Sequence, residues 1–495
     1  MCGIIGMHGS DDEKLALAML RHVAHRGPDG QGILSTGHGI LGHARLAIID
    51  VEGGVQPMRR GCLAIAFNGE IYNHRQLASE HLRGVPMHTR SDTEVLLALY
   101  ERMGPSMVAL LQGMFAFAIL DGEHLFLARD PLGIKPLYHG RQGDVHCFAS
   151  EIRALGEATD EVGTFPPGHW YHSQKGWHRF YSVPRGTHAF EGTRLDALDS
   201  IRQVTGRAVR KRMLADVPVG VCLSGGLDSS IIALHASQMV PTLHTFAVGM
   251  EGGADLAAAR TVASFLGTRH HELVYTGQQM IDALPVVVRH LESCDAALMR
   301  SAVPNHFLAQ LASRHVKVVL TGEGADELYA GYDYMARFTT PESLHEELLH
   351  VIEALHHTNL QRADRIPMAH GLEARVPFLD IESVALALSF PAAWKLHGGS
   401  VPKQLLREAY RGLLPEEIVD RPKMKFSRGA GSWEHMRMHA EQMVSDELLE
   451  IEKARIEARH PGVIPNKETL LYHHHLRGHL KDSWIFPNTG ASRSL

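Results

Sequence analysis

Short apolar runs separated by polar turns dominate the first part of the chain. Gly113–Leu120 carries no polar side chain and is closed by Asp121-Gly122, a strand followed by its turn. Residues 2–183 keep this rhythm, with turn-rich stretches at Arg129–Tyr138 and Phe165–His169. The polar, Gly-containing stretch 184–193 reads as a linker, and a helical period begins at Leu195. Beyond it Pro218–Leu223, Thr245–Gly249 and Lys317–Leu320 read as short buried strands, with a helix expected over Ile231–Met239. The pattern predicts two domains, 2–183 and an α/β unit over 195–495 whose last ~60 residues carry little signal.

The polar residues give these elements a chemistry. Cys2 places a thiol and, once Met1 is trimmed, a free α-amine on one residue; that amine titrates near working pH and can activate its own thiol. Cys2 alone reads equally as a small buried hydrophobe. Behind it come Arg26–Gly30, His43–Asp50, Phe67–Asn73 and Ser91–Glu94, each rich in turn formers, Asn, Arg or carboxylates. In that order, behind Cys2, they resemble the class II glutamine amidotransferase domain. The resemblance implies a Cys2 nucleophile and an oxyanion hole from Asn68 and the Gly69 N–H. It also implies an Arg45 fork on the glutamine α-carboxylate, and Asp92 with Glu70 on its α-ammonium. Leu46, Ala47, Ile48 and Ile49 would line the same pocket. As plain surface chemistry, Arg45 and Asp92 would be an exposed ion pair of little consequence.

The second domain carries a different signature. A strand, Ser224-Gly225-Gly226-Leu227-Asp228-Ser229-Ser230 and a helix form a cradle for anions, since turn amides and a helix N-terminus attract phosphate. The loop is not a Walker A sequence; it resembles the pyrophosphate loop of ATP pyrophosphatases. Glu323, Asp326 and Glu327 crowd the end of another strand, where Mg²⁺ on phosphates is the natural counter-charge and a solvated acidic turn the plain alternative. With Arg362–Arg365, Glu373–Asp380, Lys403–Arg407 and Arg421–Phe426, the chain resembles the glutamine-hydrolysing asparagine synthetases from Cys2 to about residue 435.

That resemblance implies an αββα sandwich of the N-terminal nucleophile type, followed by a doubly wound parallel-sheet ATP-pyrophosphatase domain. It implies glutamine hydrolysis, ammonia passage through a tunnel, a β-aspartyl-adenylate, and asparagine, glutamate, AMP and pyrophosphate as products. Ser224, Gly225, Gly226, Leu227, Asp228 and Ser229 would hold the ATP pyrophosphate, with Asp228 and Asp326 on Mg²⁺. Cys222 and Val248 would touch adenine or ribose, and Thr321 and Gly322 would lie along the nucleotide. Glu323 would be the base for ammonia attack, Lys403 would stabilise charge on the separating phosphates, and Asp295 and Arg300 would belong to the aspartate pocket. Ala297 and Leu298 stand where relatives often carry hydroxyls, which leaves open a different carboxylate acceptor.

Composition narrows the partners. A net charge of −6 without a long basic run gives no footprint for nucleic acid. No run of about 18 apolar residues predicts a membrane span, and no signal peptide is legible. The five cysteines are scattered without a C-x-x-C pair, which speaks against a disulfide framework or zinc ribbon and fits a cytoplasmic protein. The expected ligands are glutamine, aspartate and ATP with Mg²⁺, and a homodimer is left open. His473–His475 with His479, and His270-His271, are read as polar surface and scaffold, not zinc sites. A non-catalytic binding protein on the same fold is the remaining alternative.

Overall fold

A computed structural model of the chain describes residues 2–185, 190–251, 253–396 and 401–488. Met1, residues 186–189 of the expected linker and the last seven positions lie outside the described residues. In the N-terminal part, two six-stranded antiparallel sheets stack between helices. Alternation along the strands explains the layers. In Leu63–Ile71, Ala64 and Ala66 join Ala116, Ala118, Ile4 and Phe148 between the sheets. Ile65 and Phe67 face outward and cluster with Leu96, Leu97 and Tyr100 of the helix Asp92–Met103. On the other side, Ile5 and Met7 of Gly3–His8 meet Ala16, Met19 and Leu20 of the helix Glu13–Val23. Apolar residues on both faces of each sheet, one face against the other sheet and one beneath helices, give the expected αββα sandwich.

The second part is built on five parallel strands in the order Arg269–Val274, His244–Gly249, Val219–Cys222, Val318–Leu320, Glu373–Arg375. Helices cover both faces: Val221, Ala247 and Leu320 belong to one apolar cluster, and Phe246, Val248 and Val319 to another. The chain direction across the sheet reverses between Val219–Cys222 and Val318–Leu320. The loops leaving those strands therefore open a crevice at the carboxyl edge, where open α/β sheets take ligands. The helix expected from Ile231 begins at Leu227, so Asp228 and Ser229 sit in its first turn.

The two parts meet through buried charge. Arg26 reaches Glu151 at 3.1 Å and, across the interface, Asp364 at 2.7 Å. Glu292 accepts from the backbone N–H groups of Ile152 and Arg153, both at 2.9 Å, and so caps a short N-terminal-domain helix from the other domain. Arg153 and Arg365 complete its shell at 3.1 and 2.8 Å. The C-terminal helix Asp482–Asn488 also returns to the first domain. Trp484 Nε1 donates to the Asp160 carbonyl at 2.9 Å, and Asn488 Nδ2 donates to that of Val162 at 3.0 Å. Among the described residues no helix is long and apolar enough to cross a membrane.

Glu292→Gln keeps the side-chain shape but leaves Arg153 and Arg365 short of a buried partner. It should cost about 3–5 kcal/mol, read as a lower urea midpoint. Glu441→Gln, on the exposed Lys467 pair, should move the same midpoint by less than about 1 kcal/mol.

Candidate active sites

Cys2 is buried at the start of the first strand. Its backbone N–H donates to Asn68 Oδ1 at 3.0 Å, and Arg26 Nε donates to its carbonyl at 3.0 Å. Its Sγ lies 3.9 Å from the Leu46 carbonyl, and burial pushes the thiol pKa up. Asn68 Nδ2 is a buried donor with no hydrogen-bond partner, which is what a hole awaiting an oxyanion requires. Gly69 follows at φ +154°, and a Cβ there would sit 2.1 Å from the Met114 carbonyl oxygen, so no other residue fits. Arg45 uses its fork on the Val51 and Asp50 carbonyls at 2.7 and 2.8 Å, which pins the loop beyond it.

Two buried carboxylates, Glu70 and Asp92, share the field of a third, Glu373. Burial and then the charge of Glu373 push the Glu70 pKa well up, with Asp92 adding to the repulsion. Burial likewise raises Asp92, although its Oδ2 accepts the Ile71 N–H at 3.0 Å. Arg375 of the second domain lies 3.2 Å from Glu70 and opposes this repulsion. A ligand ammonium would relieve this repulsion. In the expected pocket segment, Leu46 and Ile48 instead cluster with Val318 and Met368 of the other domain, Ala47 N–H donates to Asp29, and the Ile48 carbonyl accepts from Asp216. That stretch contributes to the domain joint as well as bordering Cys2.

The second site is a cavity of about 310 Å³ at the crevice of the parallel sheet. Cys222, Ser224, Gly226, Leu227, Asp228, Ser229, Val248, Thr321, Gly322, Glu323, Asp326 and Lys403 all reach it. Gly225 shapes the loop from behind: at φ +69° a Cβ would lie 2.4 Å from the backbone of Ala258 and Ala259. Lys403, itself in the left-handed region at φ 58°, bridges Asp228 at 2.5 Å and Asp326 at 2.6 Å. Lys423 reaches Asp326 at 2.6 Å and Asp228 at 3.7 Å. Although burial opposes ionisation of Asp326, these two lysines hold its pKa well below the carboxylate range. Glu323 is paired with Arg362 at 2.5 Å.

Two expected residues are elsewhere. Asp295 caps the helix Ala296–Ala312 by accepting the Leu298 N–H. Arg300 turns from the cavity, forms a two-pronged pair with Glu468 and stacks 3.8 Å over the Trp433 ring. Ala297 and Leu298 do line the cavity, as does Ser301. Lys423 and Arg362 have no role assigned from the sequence, and Glu327 figures there only as a member of the acidic cluster. The first two stand in strings that stood out in the sequence, but their partners are distant in the chain. Glu327 bonds to Tyr332 at 2.5 Å and Asn359 at 2.9 Å, and burial, then Asp326, pushes its pKa up to about 7. His473 is not surface: it is buried and meets Asp482 at 2.9 Å.

The helix Asn359–Met368 touches both sites. Arg362 holds Glu323, and two residues on Asp364 holds Arg26, which holds the Cys2 carbonyl.

A profile of the glutamine amidotransferase domain matches residues 1–171, and one of asparagine synthase matches 200–342 and 335–484. Asparagine synthetase [glutamine-hydrolyzing] 2 of Arabidopsis thaliana is 41% identical over 481 residues, covering 91% of this chain and 83% of the relative. Asparagine synthetase B [glutamine-hydrolyzing] of Escherichia coli (strain K12) is 38% identical over 503 residues, covering 95% and 90%.

Gly225→Ala tests the cradle. The imposed left-handed alanine should cost about 1–3 kcal/mol and weaken ATP binding in calorimetry, with glutaminase turnover retained. Unchanged ATP affinity would exclude this loop as the phosphate cradle.

Proposed function

This chain belongs to the glutamine-hydrolysing asparagine synthetases, and from that premise we propose which residues carry the two half-reactions. It makes asparagine in an ATP-dependent reaction that draws nitrogen from glutamine. In the first half-reaction Cys2 Sγ attacks the glutamine side-chain amide. The Cys2 α-amine, freed of Met1, takes the thiol proton, because a buried thiol is a poor nucleophile until deprotonated. Asn68 Nδ2 and the Gly69 N–H hold the oxyanion. The amine returns the proton to departing ammonia, and water then cleaves the thioester to glutamate. Asp92 and Glu70 receive the substrate ammonium; Arg45, once its fork leaves the loop carbonyls, receives the carboxylate.

In the second half-reaction the aspartate β-carboxylate attacks the α-phosphorus of ATP, expelling pyrophosphate and forming an acyl-adenylate. The loop Ser224–Ser229 and the helix start at Leu227 cradle the phosphates. Asp228 Oδ1 is a buried carboxylate oxygen without a hydrogen-bond partner, a hard donor that suits Mg²⁺. Asp228 and Asp326 would hold that ion, which neutralises charge on the phosphates. Lys403 and Lys423, which balance these carboxylates, then turn to the phosphate oxygens. Ammonia attacks the acyl carbon, Glu323 accepts its proton with Arg362 fixing the carboxylate, and AMP departs. A narrow cavity bordered by Cys222, Thr321, Glu323, Ala363, Leu372 and Ala374 extends from this site toward the strand carrying Glu373.

The observation carrying this reading is the single helix that holds Glu323 through Arg362 and the Cys2 carbonyl through Asp364 and Arg26. Pyrophosphate release should require aspartate when it is compared against a panel of carboxylates, with asparagine and AMP as products. Release with another acid alone would replace the acceptor. Cys2→Ala should abolish glutamine-dependent synthesis and leave synthesis from ammonium; equal loss of both would make Cys2 structural. Glu323→Gln should slow amide formation from either nitrogen source by about 10²–10⁴-fold. Glutaminase activity persisting in that variant would separate lost chemistry from a damaged fold.

A further inference from the structure

At the amino edge of the parallel sheet, opposite the nucleotide crevice, three imidazoles from three separate elements converge. His244 opens the strand His244–Gly249, His271 lies on the neighbouring strand Arg269–Val274, and His315 follows the helix Ala296–Ala312. Parallel register sets His271 beside Phe246, and alternation puts His244, two residues earlier, on that same face. Thr245 and His270 face the other way and bond to each other at 2.9 Å.

His244 Nδ1 lies 3.1 Å from His271 Nε2, and one ligand nitrogen from each of the three rings lies within 4.8 Å of the others. The His271 and His315 rings stack at 4.0 Å, with Phe246 as their floor at 5.2 and 5.9 Å. We propose that His244, His271 and His315 form a binding site for a late first-row divalent cation of the Zn²⁺ class, separate from both catalytic centres.

Three features carry the assignment. Tetrahedral zinc with nitrogens at about 2.0–2.1 Å sets them roughly 3.4 Å apart. The His244–His271 nitrogens, 3.1 Å apart, come within about 0.3 Å of that spacing, and the exposed His315 would leave its stack on His271 to close the remaining distance. His244 Nδ1 and His271 Nε2 face each other, so two rings from neighbouring strands already aim a nitrogen at the same point. The proton shared by their facing nitrogens moves to the far nitrogen of its ring as the metal enters, a tautomer change with no net proton release. Imidazole donors without a carboxylate select zinc, nickel or copper over Mg²⁺. Arg269 is the nearby cation that works against binding. The bound ion, with water in the fourth position, would tie two strands to the end of the helix whose first turn carries Ala297 and Leu298 into the synthetase cavity.

The test is a Zn²⁺ titration of full-length, chelator-treated protein by calorimetry, with X-ray absorption at the zinc edge. A single equivalent with an imidazole shell is expected. Even outer-sphere partners of ligating histidines are worth about 10–100-fold, so His271→Ala and His315→Ala should each lose at least about 10-fold in affinity. His475→Ala, in the other histidine cluster, should bind as the parent does. Unchanged ammonium-dependent synthesis in His315→Ala would show that the variant is folded. Binding that survives both His271→Ala and His315→Ala, or no binding by the parent, would overturn the site and leave a neutral aromatic stack.

Discussion

The structure depends on a lattice of ionised side chains sealed between the domains. Arg26, Lys135, Glu151 and Arg153 come from one side, and Glu292, Asp364 and Arg365 from the other, all almost inaccessible to solvent. Removing such groups from water costs several kcal/mol per ion, and mutual attraction repays it only when the geometry is right. Here it is completed by more than charge: Glu292 caps a helix of the opposite domain, and Arg365 lies over the Tyr138 ring at 5.3 Å. An apolar joint would tolerate sliding. A lattice in which each cation needs a carboxylate from across the boundary accepts one relative placement of the two domains.

That fixed placement has chemical consequences. Arg375 of the second domain supplies a counter-charge for Glu70, which we propose belongs to the glutamine site, and pairs with Glu373 at 2.5 Å. Against the cost of burial, Arg375 and Lys135 help hold Glu373 down to about 2. The glutaminase pocket is therefore electrostatically incomplete without the synthetase domain. In the other direction, Arg362, which orients Glu323, shares a helix with Asp364 and Arg365. A shift of this helix driven from one site would be felt at the other as a change in hydrogen bonding, over a few residues of rigid backbone.

How much was legible in the sequence follows from how local each signal is. The strand–glycine–helix string at Ser224–Ser230 reports its own geometry, since chain neighbours form the cradle. The sheet layers are legible because the alternation of alanine with phenylalanine and isoleucine is written along single strands. Partnerships across the fold are not. Nothing near Arg300 in the chain announces Glu468 and Trp433, and a guanidinium beside an expected pocket reads as a ligand until those partners appear. The same holds for Lys423, and for His473, whose place in a polar tract hides its burial against Asp482. The C-terminal helix carried little pattern because its purpose is to return to a surface written some 320 residues earlier.

Lys403 shows how the synthetase crevice stores its readiness. A non-glycine residue at φ 58° is held against its own preference, and such conformations persist only where surroundings over-determine them. What holds it are Asp228 and Asp326, two carboxylates that would repel each other without a cation between them. With Lys423 alongside, the crevice keeps Asp326 ionised and its two lysines aimed at one point. Substrate entry then exchanges partners among charges already in place, which is the pre-organisation that electrostatic stabilisation of a phosphoryl transition state requires. The strained backbone, the carboxylate pair and the buried domain joint thus serve one end: charge fixed in advance, so that little reorganisation remains when the bond to the α-phosphorus forms.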